Sequence, residues 1–234
     1  MRIILASTSP RRRELIKMIT DTFECASSAV DEHAIEERLV EKGGYGTEAE
    51  LAGLTVRALS RAKAFDVFEK LGRPEDSLTI GADTVVCLEN EILGKPKDRD
   101  DAVRMLRAQS VEPQRVITGV TLIYNCGKNA SPGCDKGCCA ECCSAAAGGT
   151  QVRTFTEESL VYFKPLDDAQ EARIQAYCDT NEPYDKAGAY GIQLGGIALV
   201  DRYEGDVENI IGFPVNRIKQ EIAELIGCNF KNLT

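Results

Sequence analysis

A cluster of positive charge follows the first apolar run of the chain, at residues 11 to 13. The run Ile3–Ala6 has the composition of a buried strand, and Ser9-Pro10 has the pattern of a helix N-cap followed by proline at the first helical position. Three arginines then fall in the first turn of that helix, where the helix dipole ordinarily favours acidic residues. A bound anion, most simply a phosphate, would account for this charge. A solvated basic turn is the alternative.

A carboxylate interrupts the apolar run Thr79–Val86, at Asp83. A buried carboxylate without a partner is costly, so we expect Asp83 to meet a cation, a metal ion or water. Glu32 is a second candidate. Two carboxylates that face a triphosphate would coordinate Mg²⁺ or Mn²⁺, and one of them could deprotonate an attacking water. A capping role for Asp83 and simple solvation of Glu32 are the alternatives.

Two lysines and one glycine-rich segment could also contact a phosphorylated ligand. Lys63 lies beside the apolar stripe of a long predicted helix, and Lys95 lies in a Gly-Lys-Pro turn. Both are point cations that suit phosphate oxygens, although each alone could be an ordinary surface lysine. In segment 184–193 the glycines allow close approach to a ligand, and the tyrosines and Gln193 offer hydrogen bonds. A plain connecting loop is the alternative there.

The sequence gives little support for nucleophilic catalysis or for the common nucleotide-binding motifs. His33 is the only histidine of the 234 residues, so any catalytic Ser-His or Cys-His pair would have to use it. Neither a Walker A sequence nor Gly-x-Gly-x-x-Gly occurs.

Half of the ten cysteines fall in one window, inside a segment at 125–151 that is rich in Gly, Ala, Ser and Cys. The segment has no periodicity, which predicts a surface insertion outside the core. Cys139 and Cys142 have the spacing of a thiolate pair for zinc, but no second separated pair completes a site, and a flexible or partly oxidised insertion is favoured. The window contains Cys134, Cys138, Cys139, Cys142 and Cys143.

The overall charge argues against a polymeric anionic partner. The formal net charge is -9, so the chain as a whole repels nucleic acid and anionic membrane, and a local basic cluster indicates a small anionic ligand. No stretch approaches the roughly 20 apolar residues of a membrane span, and the first residues lack the pattern of a signal peptide. We therefore expect a cytoplasmic protein.

Strands and helices are predicted to alternate, which indicates an α/β domain with a mixed sheet. A long amphipathic helix is predicted over 48–71, and the β-branched run 78–88 is typical of a strand buried on both faces. The remaining predicted strands cover 3–6, 23–27, 116–124 and 154–163, and the remaining predicted helices cover 10–18, 98–108, 167–178 and 215–226.

A series of short motifs follows one another along the chain. The motifs are Ser7-x-Ser9-Pro10-Arg11-Arg12, Asp31-Glu32, Ala62-Lys63-Ala64, Gly81-Ala82-Asp83-Thr84-Val85-Val86, Gly94-Lys95-Pro96, Thr118-Gly119-Val120, Asp185-Lys186-Ala187-Gly188, Gly191-Ile192-Gln193, Glu204-Gly205-Asp206, Asn209 and Gly212-Phe213-Pro214. Each motif is weak alone, but the ordered set closely resembles the Maf family of nucleoside triphosphate pyrophosphatases, from Arg2 to about Ile226.

The resemblance implies one domain over residues 1–234, with a two-lobed α/β fold related to the inosine triphosphate pyrophosphatases and an active cleft between the lobes. It also implies hydrolysis between the α- and β-phosphates, which gives a nucleoside monophosphate and pyrophosphate, with Mg²⁺ or Mn²⁺ as the cofactor. The matching positions would bind phosphate through Ser7, Arg11, Arg12 and Lys63. The catalytic positions would be Glu32 and Asp83 as metal ligands, Asp83 as general base, and Lys95 as a cation that stabilises developing charge.

The family divides by substrate, and Arg11, Thr84 and Gln193 resemble the branch that acts on dTTP and UTP. A threonine and a glutamine could pair with the polar edge of uracil or thymine, and modified pyrimidine nucleotides are further candidates. The alternatives are 7-methyl-GTP or a purine nucleotide as substrate, or a regulatory protein of cell division that senses nucleotides without turnover. The resemblance also favours a homodimer.

Overall fold

The computed structural model describes residues 1–126 and 149–226. The five clustered cysteines, and with them the zinc and oxidation hypotheses, lie outside these residues. Of the predicted insertion, Asn125 is the last residue of one strand, and Thr150 and Gln151 begin the next.

A mixed sheet of seven strands forms the centre of the described residues. The strands are β1 Arg2–Leu5, β2 Glu24–Cys25, β3 Ser77–Cys87, β4 Ile92–Leu93, β5 Gln114–Asn125, β6 Thr150–Phe163 and β7 Val200–Glu204. Their order is β2-β1-β3-β5-β6-β7, and β4 pairs with β3. The strand β1 is parallel to β2 and β3, whereas the other pairings are antiparallel.

Seven α-helices accompany this sheet in the described residues. They are α1 Pro10–Ile16, α2 Glu32–Lys42, α3 Glu48–Lys70, α4 Arg99–Gln109, α5 Asp168–Cys178, α6 Val207–Ile211 and α7 Val215–Ile226, and short 3₁₀ turns cover Pro183–Asp185, Ala187–Ala189 and Leu194–Leu199. The predicted α/β class is confirmed. The relationship to the inosine triphosphate pyrophosphatases stays a prediction.

The two faces of β3 pack against different helices. Leu78 and Ile80 join one core with α1 and α7, and Val86 joins another with α4 and α5. Odd-numbered residues of β3 face α3 instead, where Cys87 packs with Ala52. Successive residues of a strand point to opposite faces, so neighbouring positions of β3 reach different environments.

Two glycines allow α3 to lie directly on the sheet. A Cβ atom at Gly81 would collide with the carbonyl oxygen of Ser60, and one at Gly119 would collide with the carbonyl oxygen of Val56. Because glycine has no side chain, the backbone of α3 can approach β3 and β5 at these two points. This close approach brings the next turn of α3, with Lys63, over the middle of β3.

The register of β3 leaves a gap on one edge. The pairing with β1 ends at Ile80, and the pairing with β4 begins at Val86, while β5 covers the opposite edge throughout. Residues 81–85 therefore have no strand partner on the β1 side among the described residues. Asp83 lies in the middle of this gap.

Candidate active site

A cavity of about 1030 Å³ lies beside the gap in β3. Its walls come from α1, α2, α3, β3, β4 and the segment between α5 and β7. The structure brings all nine predicted site residues to this cavity: Ser7, Arg11, Arg12, Glu32, Lys63, Asp83, Thr84, Lys95 and Gln193.

An ion cluster forms where α3 meets β3, with Lys63 and Asp83 largely buried and Glu32 half-exposed. The Nζ atom of Lys63 lies 2.6 Å from Oδ1 of Asp83 and 3.0 Å from Oε1 of Glu32. The side chains of Lys63 and Asp83 are each 12% exposed. Of the partners expected for Asp83, a cation, a metal ion or water, the structure shows a cation, and it is a lysine one turn beyond the contact at Gly81.

Burial raises the pKa of Asp83, and the charges of Lys63 and Arg12 oppose this effect without reversing it. Repulsion from Glu32 also raises the pKa of Asp83, by less than burial does. A carboxylate with a raised pKa is a stronger base than an ordinary one and suits proton transfer near neutral pH.

The helix α2 presents Glu32 to the cluster and contributes one acid that the sequence analysis missed. Asp31 is its N-cap, and the Asp31 side chain accepts a hydrogen bond from the N–H of Ala34. Glu36 follows Glu32 by four residues, so it lies on the same face of the helix, and it also lines the cavity. Burial, followed by the charges of Asp83 and Glu32, raises the pKa of Glu36.

The carboxylates of Glu32 and Asp83 fit a hard divalent cation. Within the described parts of the chain, no group of three or more His, Cys, Asp or Glu side chains is arranged to hold a metal ion by itself. Mg²⁺ sites that work with phosphates commonly use one or two carboxylates and complete the coordination with phosphate oxygens and water. Two acidic side chains that share one lysine at the cavity wall match that requirement.

Arg12 lies on the other face of β3 and donates to three protein acceptors. Its Nε donates to the carbonyl oxygen of Gly212 at 2.9 Å, and its Nη1 donates to the carbonyl oxygen of Ala82 at 2.9 Å. Its Nη2 donates to Oγ1 of Thr84 at 3.0 Å. A guanidinium has five N–H groups, so these contacts account for three of them.

The hydroxyl of Thr84 has three protein groups within hydrogen-bond distance. Its Oγ1 accepts from Arg12, lies 3.0 Å from Oγ1 of Thr118 and lies 3.4 Å from the carbonyl oxygen of Gly212. Gly212 has a φ of +116°, and a Cβ atom there would lie 3.3 Å from the Thr84 hydroxyl. A glycine at this position therefore allows the end of α6 to close on Thr84.

Arg11 reaches across the cavity mouth to Asp185. Its Nη1 lies 3.3 Å from Oδ2 of Asp185, whose other oxygen lies 2.6 Å from Nζ of Lys186. Burial alone would raise the pKa of Asp185, but the hydrogen bond and charge of Lys186 and the charge of Arg11 lower it overall. Asp185 and Lys186 line the cavity as the glycine-rich segment was expected to do.

The remaining predicted residues also line the cavity, with Ser7 buried and Lys95 and Gln193 exposed. Ser7 accepts a hydrogen bond from the N–H of Ser9, and Ser9 is the N-cap of α1, as predicted. Lys95 is exposed, and the carbonyl oxygen of the preceding Gly94 accepts from the N–H of Gly188, which joins two of the motifs. Gln193 is also exposed.

In the part of the chain that the structure describes, no helix combines the length and the apolar character that a membrane crossing requires.

Comparison with known proteins identifies the family. A family model described as Maf-like protein matches residues 2–225. The chain is 38% identical over 228 residues to a dTTP/UTP pyrophosphatase of Acetivibrio thermocellus, covering 96% of this chain and 95% of the relative. It is 37% identical over 224 residues to one from Carboxydothermus hydrogenoformans, covering 96% and 98% of the two chains. A third relative of the same name, from Thermosipho africanus, is 36% identical over 218 residues, with 93% and 90% covered. With its motifs gathered around one cavity, this chain belongs to the Maf family.

Proposed function

We propose that this chain is a nucleoside triphosphate pyrophosphatase that hydrolyses dTTP and UTP to the nucleoside monophosphate and pyrophosphate. The observation that carries the proposal is the convergence of nine residues, predicted from separate motifs, on one cavity. The substrate choice is supported by relatives at 36% to 38% identity that are named dTTP/UTP pyrophosphatase.

The basic side chains of the predicted site fall into three groups. Arg12 is held by neutral acceptors, so it keeps its positive field for the phosphates. Lys63 is already paired with two carboxylates, so its main effect is to keep Asp83 and Glu32 in place. Arg11 and Lys95 lie at the rim and would bind the outer phosphates or the leaving pyrophosphate.

Asp83 is the proposed general base. It would accept a proton from the water that attacks phosphorus, while the bond between the α- and β-phosphates breaks and pyrophosphate leaves. The buried position and raised pKa of Asp83 suit this role. Arginine and lysine side chains at the cavity would stabilise the charge that develops on the phosphate oxygens.

Glu32 and Asp83 would hold the divalent cation, Mg²⁺ or Mn²⁺. When bound, the cation would supply charge neutralisation at the phosphates and polarisation of the attacking water. Glu36, which lies on the same face of α2, adds negative charge to this side of the cavity.

The proposal includes a cytoplasmic homodimer. The resemblance to the family supports the homodimer, and the sequence pattern supports the cytoplasmic location, with a net charge of -9 in keeping with a protein that avoids anionic polymers and membranes. Sedimentation of the purified chain would test the oligomeric state.

The function is tested by product analysis over a panel of nucleoside triphosphates with Mg²⁺ or Mn²⁺. The panel contains dTTP, UTP, the purine nucleotides and 7-methyl-GTP. We expect the monophosphate and pyrophosphate in equal amounts, with dTTP and UTP turned over fastest. Preferred turnover of 7-methyl-GTP or a purine nucleotide would overturn the substrate choice. Binding without any turnover would overturn the enzyme and favour a nucleotide sensor.

A further inference from the structure

A second threonine stands behind Thr84, outside the cavity wall. Thr118 is the cross-strand partner of Thr84 in the β3–β5 pairing, and it is fully buried. Its Oγ1 lies 3.0 Å from Oγ1 of Thr84 and donates to the carbonyl oxygen of Asn209 at 3.3 Å. Thr118 belongs to the motif Thr118-Gly119-Val120, but it does not line the cavity.

These contacts connect Thr118, Thr84 and Arg12 in one hydrogen-bond network. A hydroxyl group donates one hydrogen, and the hydrogen of Thr118 goes to Asn209. The Thr84 hydroxyl can donate to Oγ1 of Thr118 at 3.0 Å or to the carbonyl oxygen of Gly212 at 3.4 Å, and in either case its oxygen accepts from Nη2 of Arg12. Linked hydrogen bonds polarise and strengthen one another.

The hydrogen-bond network fixes the direction in which the Arg12 guanidinium points. Three of its N–H groups donate to Gly212, Ala82 and Thr84, which fixes the plane of the group at the cavity. The two remaining N–H groups belong to Nη1 and Nη2, the same nitrogens that Ala82 and Thr84 hold. An arginine with a fixed plane loses less entropy when it binds a phosphate than one that must be ordered by the ligand.

We propose that Thr118 is a positioning residue for substrate binding, which holds the Thr84 hydroxyl where its oxygen accepts from Arg12 and thereby helps to orient Arg12 toward the phosphates of the substrate. This inference rests on the proposed function for the identity of the ligand. The role belongs to binding and not to the chemical step, because neither threonine contacts Asp83 in the described hydrogen bonds.

The same strand offers a matched control. Thr121 is also fully buried in β5, and its Oγ1 lies 3.0 Å from that of its cross-strand partner Thr154 and 3.1 Å from Oγ of Ser60. Neither Thr121 nor Thr154 lines the cavity. A threonine-to-valine change at either position removes one buried hydroxyl from a threonine pair, so the two variants carry a similar structural cost.

The experiment compares Thr118→Val, Thr121→Val and Thr118→Ser in the full chain. We expect Thr118→Val to raise the KM for dTTP by about 5- to 10-fold, the effect of one weakened hydrogen-bond chain, with kcat nearly unchanged. Thr121→Val should leave both constants near the wild-type values. Thr118→Ser keeps the hydroxyl and should restore the KM. Equal KM values for Thr118→Val and Thr121→Val would overturn the proposal.

A binding measurement separates this inference from the proposed function. Inorganic tripolyphosphate serves as the probe, and its Kd is measured by calorimetry, which needs no turnover. We expect Thr118→Val to bind tripolyphosphate more weakly than the wild type does, and Thr121→Val and Thr118→Ser to bind it about as tightly as the wild type. If the wild-type chain releases no pyrophosphate, the proposed function fails, and weaker tripolyphosphate binding by Thr118→Val alone would still support the role of Thr118.

Arg12→Lys supplies the final check, because it removes the guanidinium that the hydrogen-bond network orients. In that background Thr118→Val should add little to the loss of tripolyphosphate affinity. Additive losses would show that Thr118 acts independently of Arg12 and would overturn the proposal. If Thr118→Val does not fold, Thr118→Ala carries the same comparison.

Discussion

Asp83 and Thr84 are neighbours in β3, yet their side chains enter two different environments. Asp83 faces α3, where it meets Lys63 and where the contacts are ionic. Thr84 faces α1 and the end of α6, where hydroxyls and carbonyl oxygens hold Arg12. On one face carboxylates pair directly with the buried lysine, and on the other face neutral oxygens hold Arg12, whose charge reaches Asp83 only at a distance.

This difference assigns the two faces to different tasks. A carboxylate held by a lysine stays in place and remains buried, which suits proton transfer. An arginine held by neutral oxygens keeps its full charge for an incoming phosphate. The comparison therefore predicts that variants of the Asp83 face lower kcat, and that variants of the Thr84 face raise KM.

The largest effect is expected from Asp83→Asn. The amide cannot accept a proton from water, so kcat should fall by roughly 10²- to 10⁴-fold, the usual contribution of a general base. Asp66→Asn is the control, because Asp66 also pairs with a lysine, Lys70, but lies outside the cavity. Steady-state pyrophosphate release measures both. A similar fall in the two variants would contradict the role of Asp83.

The next largest effect is expected from Gly81→Ala, which tests the contact that brings Lys63 to Asp83. The added methyl group would force α3 away from β3, at a cost of about 1–3 kcal/mol in the free energy of unfolding, with a loss of activity. Gly53→Ala, in the same helix, meets no atom within 4 Å and should stabilise the protein by about 0.5–1 kcal/mol. Urea unfolding measures both changes.

A smaller effect is expected from Arg12→Lys. A lysine keeps the charge but cannot donate to three acceptors in one plane, so the KM for dTTP should rise by about tenfold while kcat changes little. The exposed Arg13→Lys is the control on the neighbouring position. An unchanged KM in Arg12→Lys would show that the Thr84 face does not contribute to substrate binding.

The smallest effect is expected at an ion pair that belongs to neither face. The hydrogen bond from Arg107 lowers the pKa of Glu171 from 4.5 to about 2. Because the folded-state pKa is the lower one, the pair stabilises the fold above pH 4.5, and this contribution disappears as the pH falls toward 2. The difference in Tm between wild type and Glu171→Gln should be small above pH 4.5 and vanish near pH 2. A difference that grows on acidification would contradict this sign.

Much of the site could be predicted from local sequence, and the reasons differ by residue. Ser9 and Pro10 begin α1 as their types indicate, and of the three partners expected for the carboxylate of Asp83, a cation, a metal ion or water, the structure shows the cation. The helix α7 was predicted at Val215–Ile226, its full extent, because its apolar stripe is continuous.

The helix α2 was not predicted, and Glu36 was missed with it. No residue of α2 is buried, so the sequence has no apolar stripe to mark a helix there. The environment of Arg12 was also beyond local reasoning, because its acceptors Ala82, Thr84 and Gly212 lie 70, 72 and 200 residues away. Such contacts depend on the sheet order, which no short motif encodes.

The division of tasks between the two faces is tested most directly by measuring single-turnover pyrophosphate release and dTTP binding in Asp83→Asn and Thr84→Val. We expect Asp83→Asn to release pyrophosphate far more slowly than the wild type even when dTTP is saturating. Thr84→Val should bind more weakly and react at nearly the wild-type rate once saturated. Equal losses of rate in the two variants, or a wild-type rate in Asp83→Asn, would contradict the account.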